Sequence, residues 1–176
     1  MLDVMIITLF AVAVFLVIYH HIIYPVLLKI ASKNKNNLNP TIKKRRYMFS
    51  AEDNKLNHFS IIIPAFNEAK FIAEKIRNLS FIDYPSDRYE LILLCDGCHD
   101  ETHQIALQTL AELACHDLKV QLVNFKENQG KVAVLKEGVA RAKFDNIVFS
   151  DVSALLPVNS LLMLDSHFKN ITVGAV

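Results

Sequence analysis

The stretch "NIVFSDVSALLP", Asn146 to Pro157, decides how the chain is read. Ile147 to Phe149 are apolar in unbroken succession, as in a strand buried on both faces. Two residues on stands a carboxylate, Asp151, and two further a hydroxyl, Ser153. An acid at the end of a core strand is either a solvated loop residue or a group held where a ligand or a metal ion can reach it. Open α/β sheets give the second reading a definite place, because their ligands bind outside the carboxyl ends of the strands. What stands at the other strand ends then becomes the test.

Working outward, further apolar runs read as strands: "FSIIIPAF", "ELILLC" and "VQLVNF" before the opening stretch, and "VGAV" after it. Helical spacing separates them. Phe71, Ile72, Ile76 and Leu79 share one face, as do Ala106, Leu110, Leu113 and Ala114. Val132, Leu135, Val139 and Ala142 form a third such set, and Leu161, Leu164 and Phe168 a fourth, with Pro157 suited to a first helical turn. Strand and helix in alternation predict an α/β fold with a mostly parallel sheet covered on both faces.

The strand ends carry polar residues in series. "PAFNEA" puts Asn67 and Glu68 at a turn into a helix, where free amides favour acceptors and anions. "CDGCHDET" places Asp96 at a strand tip, with Gly97 allowing a tight turn and Asp100 and Thr102 opening the next helix. "NQGKVAVL" sets Gly130 and Lys131 at a helix start, a plausible phosphate site although the P-loop spacing is missing. Each feature alone reads equally well as a cap or a turn. Together they bring an amide, carboxylates and a lysine to one rim, a natural setting for a divalent cation and a diphosphate.

From Ser60 to Val176 the chain resembles the nucleotide-sugar-binding half of a family 2 glycosyltransferase of the GT-A fold. The resemblance rests on the order of "SIIIPAFNEAKFI", "YPSDRYELILLCDGCHDET", "NQGKVAVLKEGVARA", "IVFSDVSALLP" and "VGAV". It implies that Pro64, Ala65, Asn67 and Glu68 line the uridine side of a UDP-sugar and that Asp96 contacts uracil or ribose. It also implies that Lys131 lies near the diphosphate and that Asp151 begins an Asp-x-Asp motif holding Mg²⁺ or Mn²⁺. Ser153 stands in place of the second acid, so ligation there would be weaker or pass through water. Cys98 replaces a usual Ser, and Lys136 a frequent Asn. The family's later half, with its acceptor site, general-base carboxylate and (in processive members) Gln-x-x-Arg-Trp motif, follows "VGAV" and is not in this sequence. The expectation is a C-terminally incomplete GT-A domain over 58–176, inverting in its reaction, with no catalytic base and no turnover by itself. Asp165 falls inside the last helix and reads as a solvated charge.

The N-terminus is of another kind. The 176 residues are 52% hydrophobic, and no charged residue occurs from Val4 to Leu28. At about 1.5 Å per residue that run crosses a hydrocarbon core of roughly 30 Å. A cleaved signal peptide would want a basic n-region, yet the chain opens with Asp3. Seven basic residues and no acid lie between Lys29 and Arg46. The positive-inside rule then puts the rest of the chain in the cytoplasm. Net charge is only +1, so the basic stretch is local and suited to anionic head groups. The expected organisation is a membrane anchor over 1–31, a basic juxtamembrane linker over 32–57 and the GT-A domain.

Two sharper motifs are set aside. "CDGC" has Cys-x-x-Cys spacing but its centre reads as a turn, and "HDETH" falls one methylene short of a zinc-binding His-Glu-x-x-His. The leading reading is a membrane-anchored glycosyltransferase module acting on a glycan or lipid acceptor, with nucleic acid not among its partners. Its rival is a non-catalytic donor-binding fragment or partner subunit. A dinucleotide-binding oxidoreductase ranks below both, for want of Gly-x-Gly-x-x-Gly.

Overall fold

The computed structural model describes residues 1–33, 51–169 and 173–176. The chain divides into two compact units, Met1–Asn39 and Pro40–Val176. In the first, α1 (Leu2–Ile18) leads through a five-residue π-helical turn (Tyr19–Ile23) into α2 (Tyr24–Lys33). Pro25 explains the wider turn. It has no N–H, and its ring would strike the carbonyl one turn back in a regular helix. The apolar span Leu2–Ala31 is long and apolar enough to cross a membrane.

The second unit is built on four strands: β1 (Phe59–Ala65), β2 (Tyr89–Asp96), β3 (Val120–Phe125) and β4 (Asn146–Phe149). All pair in parallel, in the order β3-β2-β1-β4. The helices between and after them are α3 (Ile72–Ser80), α4 (Thr102–Leu110), α5 (Lys131–Arg141) and α6 (Ser160–Phe168). The α/β sheet expected from the alternation is therefore present. Strand β1 is its spine, with β2 on one edge from Phe59 to Ala65 and β4 on the other from Phe59 to Ile62.

Pleating divides the core. Phe59, Ile61, Ile63, Leu91 and Leu93 belong to a large cluster with Ile72, Ile76 and Leu79 of α3, Ala106 of α4, and Leu161 and Leu162 of α6. Ile62, Ile92 and Leu94 turn to the other face, where Val134 of α5 completes a smaller cluster. Burying each such aliphatic side chain is worth roughly 1.5–3 kcal/mol.

Several expected faces rotate or end early. Helix α4 stops at Leu110, so Leu113 and Ala114 are exposed and Cys115 is buried instead. On α5 the buried residues are Val134 and Gly138; of the expected face Leu135 and Ala142 pack against the smaller core, while Val132 and Val139 are exposed. Gly138 is the cause. A Cβ there would stand 2.5 Å from Ile62 Cγ2 and 2.8 Å from Leu94 Cδ1, so α5 lies too close to the sheet for any side chain. The run Val173–Val176 forms no strand; four apolar residues do not make one without a ladder that pairs them.

Asp165 also departs from its expected solvated role. It is buried, its Oδ1 accepts from the backbone N–H (2.8 Å) and Nδ2 (3.0 Å) of Asn57, and its other oxygen pairs with Lys169 Nζ at 3.0 Å. A buried carboxylate is tolerable because both its oxygens face donors. Of the expected linker, residues 34–50 lie outside the described residues. Its last part is already folded: Ala51–Lys55 form a 3₁₀ turn, and Leu56 packs against the large core.

The close approach of α5 yields a prediction. Gly138→Ala should destabilise the domain by about 1–3 kcal/mol through overpacking, although alanine is the better helix former by about 1 kcal/mol. Urea unfolding midpoints of parent and variant measure this; an unchanged or higher midpoint would refute the steric account.

Candidate functional site

In the order β3-β2-β1-β4, the chain runs outward from β1 through β2 to β3 and then crosses back to β4 on the other side of β1. The switch point therefore lies between the carboxyl ends of β1 and β4. A cleft of about 440 Å³ opens there, lined by Pro64, Ala65, Phe66, Glu68, Asp96, Asn128, Gly130, Lys131, Asp151, Val152 and Ser153. Seven of the eight residues that the sequence assigned to the donor or the metal thus share one cavity. Asn67 is the exception.

Asn67 holds a left-handed conformation (φ 55°), and its Oδ1 accepts the His99 backbone N–H at 2.9 Å. Its amide ties the β1–α3 turn to the β2–α4 turn. A second tie runs beside it: the Glu68 N–H donates to Thr102 Oγ1 at 2.8 Å, and the Ala69 N–H to Asp100 Oδ2 at 3.1 Å. The Asp100 carboxyl is slightly desolvated, but donation from the Thr102 hydroxyl and amide and the Ala69 amide outweighs that and lowers its pKa. The Glu68 side chain faces the cleft from this braced turn.

Asp96 is buried at the tip of β2. Its Oδ1 accepts the Gln129 N–H at 2.7 Å and its Oδ2 the Gly130 N–H at 3.0 Å. The carboxylate therefore folds the loop before α5 across the strand end. Gly97 permits this fold, since at φ 62° a Cβ would come within 2.3 Å of the Asn128 backbone nitrogen. Asp96 borders the cleft with both oxygens already engaged.

Lys131 opens α5, and its Nζ donates to Asp151 Oδ1 at 2.7 Å. Both side chains are largely exposed, at 62% and 60%, so this pair contributes at most about 1 kcal/mol and yields readily to a ligand. The first amides of α5 have no intrahelical acceptor and lie at the same corner.

Lys75 was not singled out from the sequence. It sits on the inward face of α3, fully buried, and its Nζ donates to Ser150 Oγ at 2.7 Å and to the Ala154 carbonyl. Desolvation pushes its pKa down to about 8, with the Asp151 charge opposing the shift. Its spacing from Ile72, Ile76 and Leu79 was the available signal. Phe66, Asn128, Gly130 and Val152 complete the lining, and Phe66 packs edge-on against His99 at 6.2 Å.

For a divalent cation the cleft offers the Asp151 carboxylate and the Ser153 hydroxyl. Among the described residues no cluster of three or more His, Cys, Asp or Glu could hold a metal. This donor set fits Mg²⁺ or Mn²⁺ that completes its shell with phosphate oxygens and water, rather than an ion caged by protein alone.

The family model for glycosyl transferase family 2 matches residues 60–173, well over half the sequence. The chain belongs to this family. Among curated family relatives, the poly-beta-1,6-N-acetyl-D-glucosamine synthase of Staphylococcus epidermidis is 24% identical over 133 residues, covering 75% of this chain and 31% of that protein. The beta-monoglucosyldiacylglycerol synthase of Trichormus variabilis is 33% identical over 119 residues, 66% of this chain and 25% of that protein. The chain thus spans only a quarter to a third of these relatives. The fold recurs in the mannosyltransferase PcManGT of Pyrobaculum calidifontis, in complex with GDP-Man and Mn²⁺. That match has a TM-score of 0.67 and 24% identity, covering 94% of this chain and 45% of that one. S. aureus TarS 1-349 in complex with UDP matches with a TM-score of 0.57 and 21% identity, over 64% and 32% of the two chains.

Lys75 makes a pH signature. Its amine loses its proton near pH 8 in the folded chain and near 10.5 when unfolded. Between those values the unfolded chain binds more protons, so this group makes stability rise with pH. Unfolding free energies of parent minus Lys75→Met should therefore climb from about pH 8 to pH 10.5. A flat difference across that window would mean that the amine is not desolvated.

Proposed function

We propose that the strand-end cleft binds a nucleotide sugar, specifically a UDP-sugar, and serves glycosyl transfer to a glycan or lipid acceptor from a membrane-anchored, cytoplasm-facing domain. The observation that carries this reading is the gathering of Asp96, Lys131, Asp151 and Ser153 in one cleft at the switch point. The ligands bound in the structural neighbours, UDP, UDP-GlcNAc and GDP-Man, support a nucleoside diphosphate sugar. The names of the relatives support both kinds of acceptor.

In this reading Pro64, Ala65 and Glu68 border the nucleoside, with Asp96 fixing the loop that meets it and contacting base or ribose. Asn67 acts behind them by bracing the turn. Lys131 leaves Asp151 for the diphosphate, adding an ammonium to the free amides at the start of α5. Asp151, with Ser153 directly or through water, would hold Mg²⁺ or Mn²⁺; the Mn²⁺ in the PcManGT complex supports this. Such an ion would supply Lewis-acid stabilisation of the departing diphosphate. In the reaction the acceptor oxygen bonds to the anomeric carbon with inversion. The bond from that carbon to the diphosphate oxygen breaks, its electron pair leaves with the phosphate, and the acceptor proton passes to a base. No described residue is assigned as that base.

A second reading, a donor-binding module without catalysis, draws support from two of the three carboxylates that line the cleft, which already have partners. Asp96 is engaged by two amides and Asp151 by Lys131, while buried Asp165 holds Asn57, just before the amino end of β1. Acceptor-dependent release of UDP by the 176-residue chain would favour the enzyme, and binding without release the module.

Calorimetry with UDP, with and without Mn²⁺, tests the site itself. Asp96→Ala should weaken binding under both conditions, whereas Asp151→Ala should remove the Mn²⁺-dependent part, each by about 1.5–3 kcal/mol. Parental binding by both variants would refute the assignment. For the anchor, a reporter fused after Val176 should be active only if it is of a cytoplasmic type. Activity of an exported-type reporter at that position would reverse the orientation.

A further inference from the structure

Asp151 and Ser153 lie on a ten-residue connection between β4 and α6 that has no secondary structure of its own. Something must fix its course, or neither side chain would face the cleft reproducibly. The fixing groups come from α3, a helix distant in sequence. Lys75 donates to Ser150 Oγ at 2.7 Å and to the Ala154 carbonyl, so one ammonium joins the two ends of the segment that carries Asp151 and Ser153. One helical turn further, Asn78 grips the same connection with both ends of its amide. Its Nδ2 donates to the Leu156 carbonyl at 2.9 Å, and its Oδ1 accepts the Leu156 N–H at 2.8 Å. Lys75 and Asn78 are three residues apart and share a face.

Within the segment Val152 is also buried in the large core, and two backbone hydrogen bonds add to this. The Ser150 N–H continues the sheet to the Ile62 carbonyl at 3.1 Å, and the Ala154 N–H closes a turn on the Asp151 carbonyl at 3.2 Å. The other fully buried residues of α3, Ile72, Ile76 and Leu79, are apolar, and a lysine buried among them is disfavoured by desolvation. Simple packing would be served as well by a methionine of similar length. An ammonium is needed where two oxygens must be held a fixed distance apart.

We propose that Lys75 is a positioning residue for the phosphate end of the cleft, clamping the Ser150–Ala154 segment so that Asp151 and Ser153 face the donor diphosphate and its cation. The role rests on the donor-binding reading above. It makes the buried amine, which touches no ligand, a determinant of phosphate and cation binding but not of nucleoside binding.

The test separates the clamp from both fold and function. Lys75→Met in the full chain is compared with the parent by calorimetry using UDP with Mn²⁺, UDP alone and uridine as probes. Affinity for UDP with Mn²⁺ should fall at least about tenfold, the size expected for losing a charge-assisted contact, while uridine affinity stays within about twofold. Equal losses for uridine and UDP, or no loss for either, would overturn the proposal. Amide hydrogen exchange supplies a readout that needs no ligand: the Ala154 amide should exchange faster in the variant, with β1 and β2 amides unchanged. Parental exchange at Ala154 would also overturn it. If the parent binds neither UDP nor uridine, the donor-binding reading fails, while exchange still judges the clamp. Should Lys75→Met not fold, Ser150→Ala removes one of the two acceptors and should show the same selective loss at smaller size. Parental exchange and parental UDP affinity in Ser150→Ala would refute the clamp.

Discussion

Everything in the second unit hangs on β1 being hydrogen-bonded along both edges by parallel neighbours. A strand so placed has no polar backbone to offer water, so both faces must be apolar and both must be covered. Parallel pairing forces each connection to recross the sheet, which supplies the helices that do the covering. It also brings every strand end that follows a forward run to the same edge. Because the chain passes from β1 toward β2 on one side and returns from β3 to β4 on the other, a cleft that no helix fills is left at the carboxyl ends of β1 and β4. The cleft is thus a consequence of topology before any side chain is considered.

What the side chains add is restraint of the loops that edge the cleft. Four turns meet there, and each is tied to another element by a side chain accepting from, or donating to, a distant backbone. Asn67 takes the His99 amide, Asp100 the Ala69 amide, Asp96 two amides of the loop before α5, and Lys75 donates a hydrogen bond to the Ala154 carbonyl. Hydrogen bonds with a charged partner contribute about 1.5–3 kcal/mol each, which suits loops that lack a core of their own. The same chemistry that recognises a ligand is used to build its frame. Asp96 and Asn67 look alike in sequence to groups awaiting a substrate, and only the fold separates the groups that border the cleft from those that brace it.

This is why the sheet and the gathering of the strand-end residues in one cleft were legible in the sequence while several contacts were not. Unbroken apolar runs with an acid, an amide or a Gly–Lys pair at the end report the strand edges directly, and all four matching strands formed within a residue or two of those runs. Periodicity, by contrast, treats any charge as exposed. It therefore passed over Lys75, which shares its face with Ile72 and Leu79, and it put Asp165 in water although Asn57 claims it. The α5 face was misread in part, since Leu135 and Ala142 do pack against the smaller core, and for a different reason. The apolar stripe Val132–Leu135–Val139 is the more hydrophobic one, yet the clash that a Cβ at Gly138 would make with Ile62 shows which side lies against the sheet. Proximity to a neighbouring element decides such cases, and a single sequence does not contain it.

The electrostatics of the Asp151 corner follow from the same arrangement. Lys131 reaches the carboxylate from α5 at 2.7 Å, and the buried Lys75 amine senses it from α3. Two ammonium groups therefore attend one carboxylate, with a neutral hydroxyl at Ser153 two residues on. The Lys75 ammonium cannot swing away, because it is fully buried and bonded at both ends of the segment. Lys131 is largely exposed and free to move, so the two lysines divide the work physically. One holds the segment that carries Asp151, and the other, on the proposed donor-binding reading, is exchangeable between Asp151 and a phosphate.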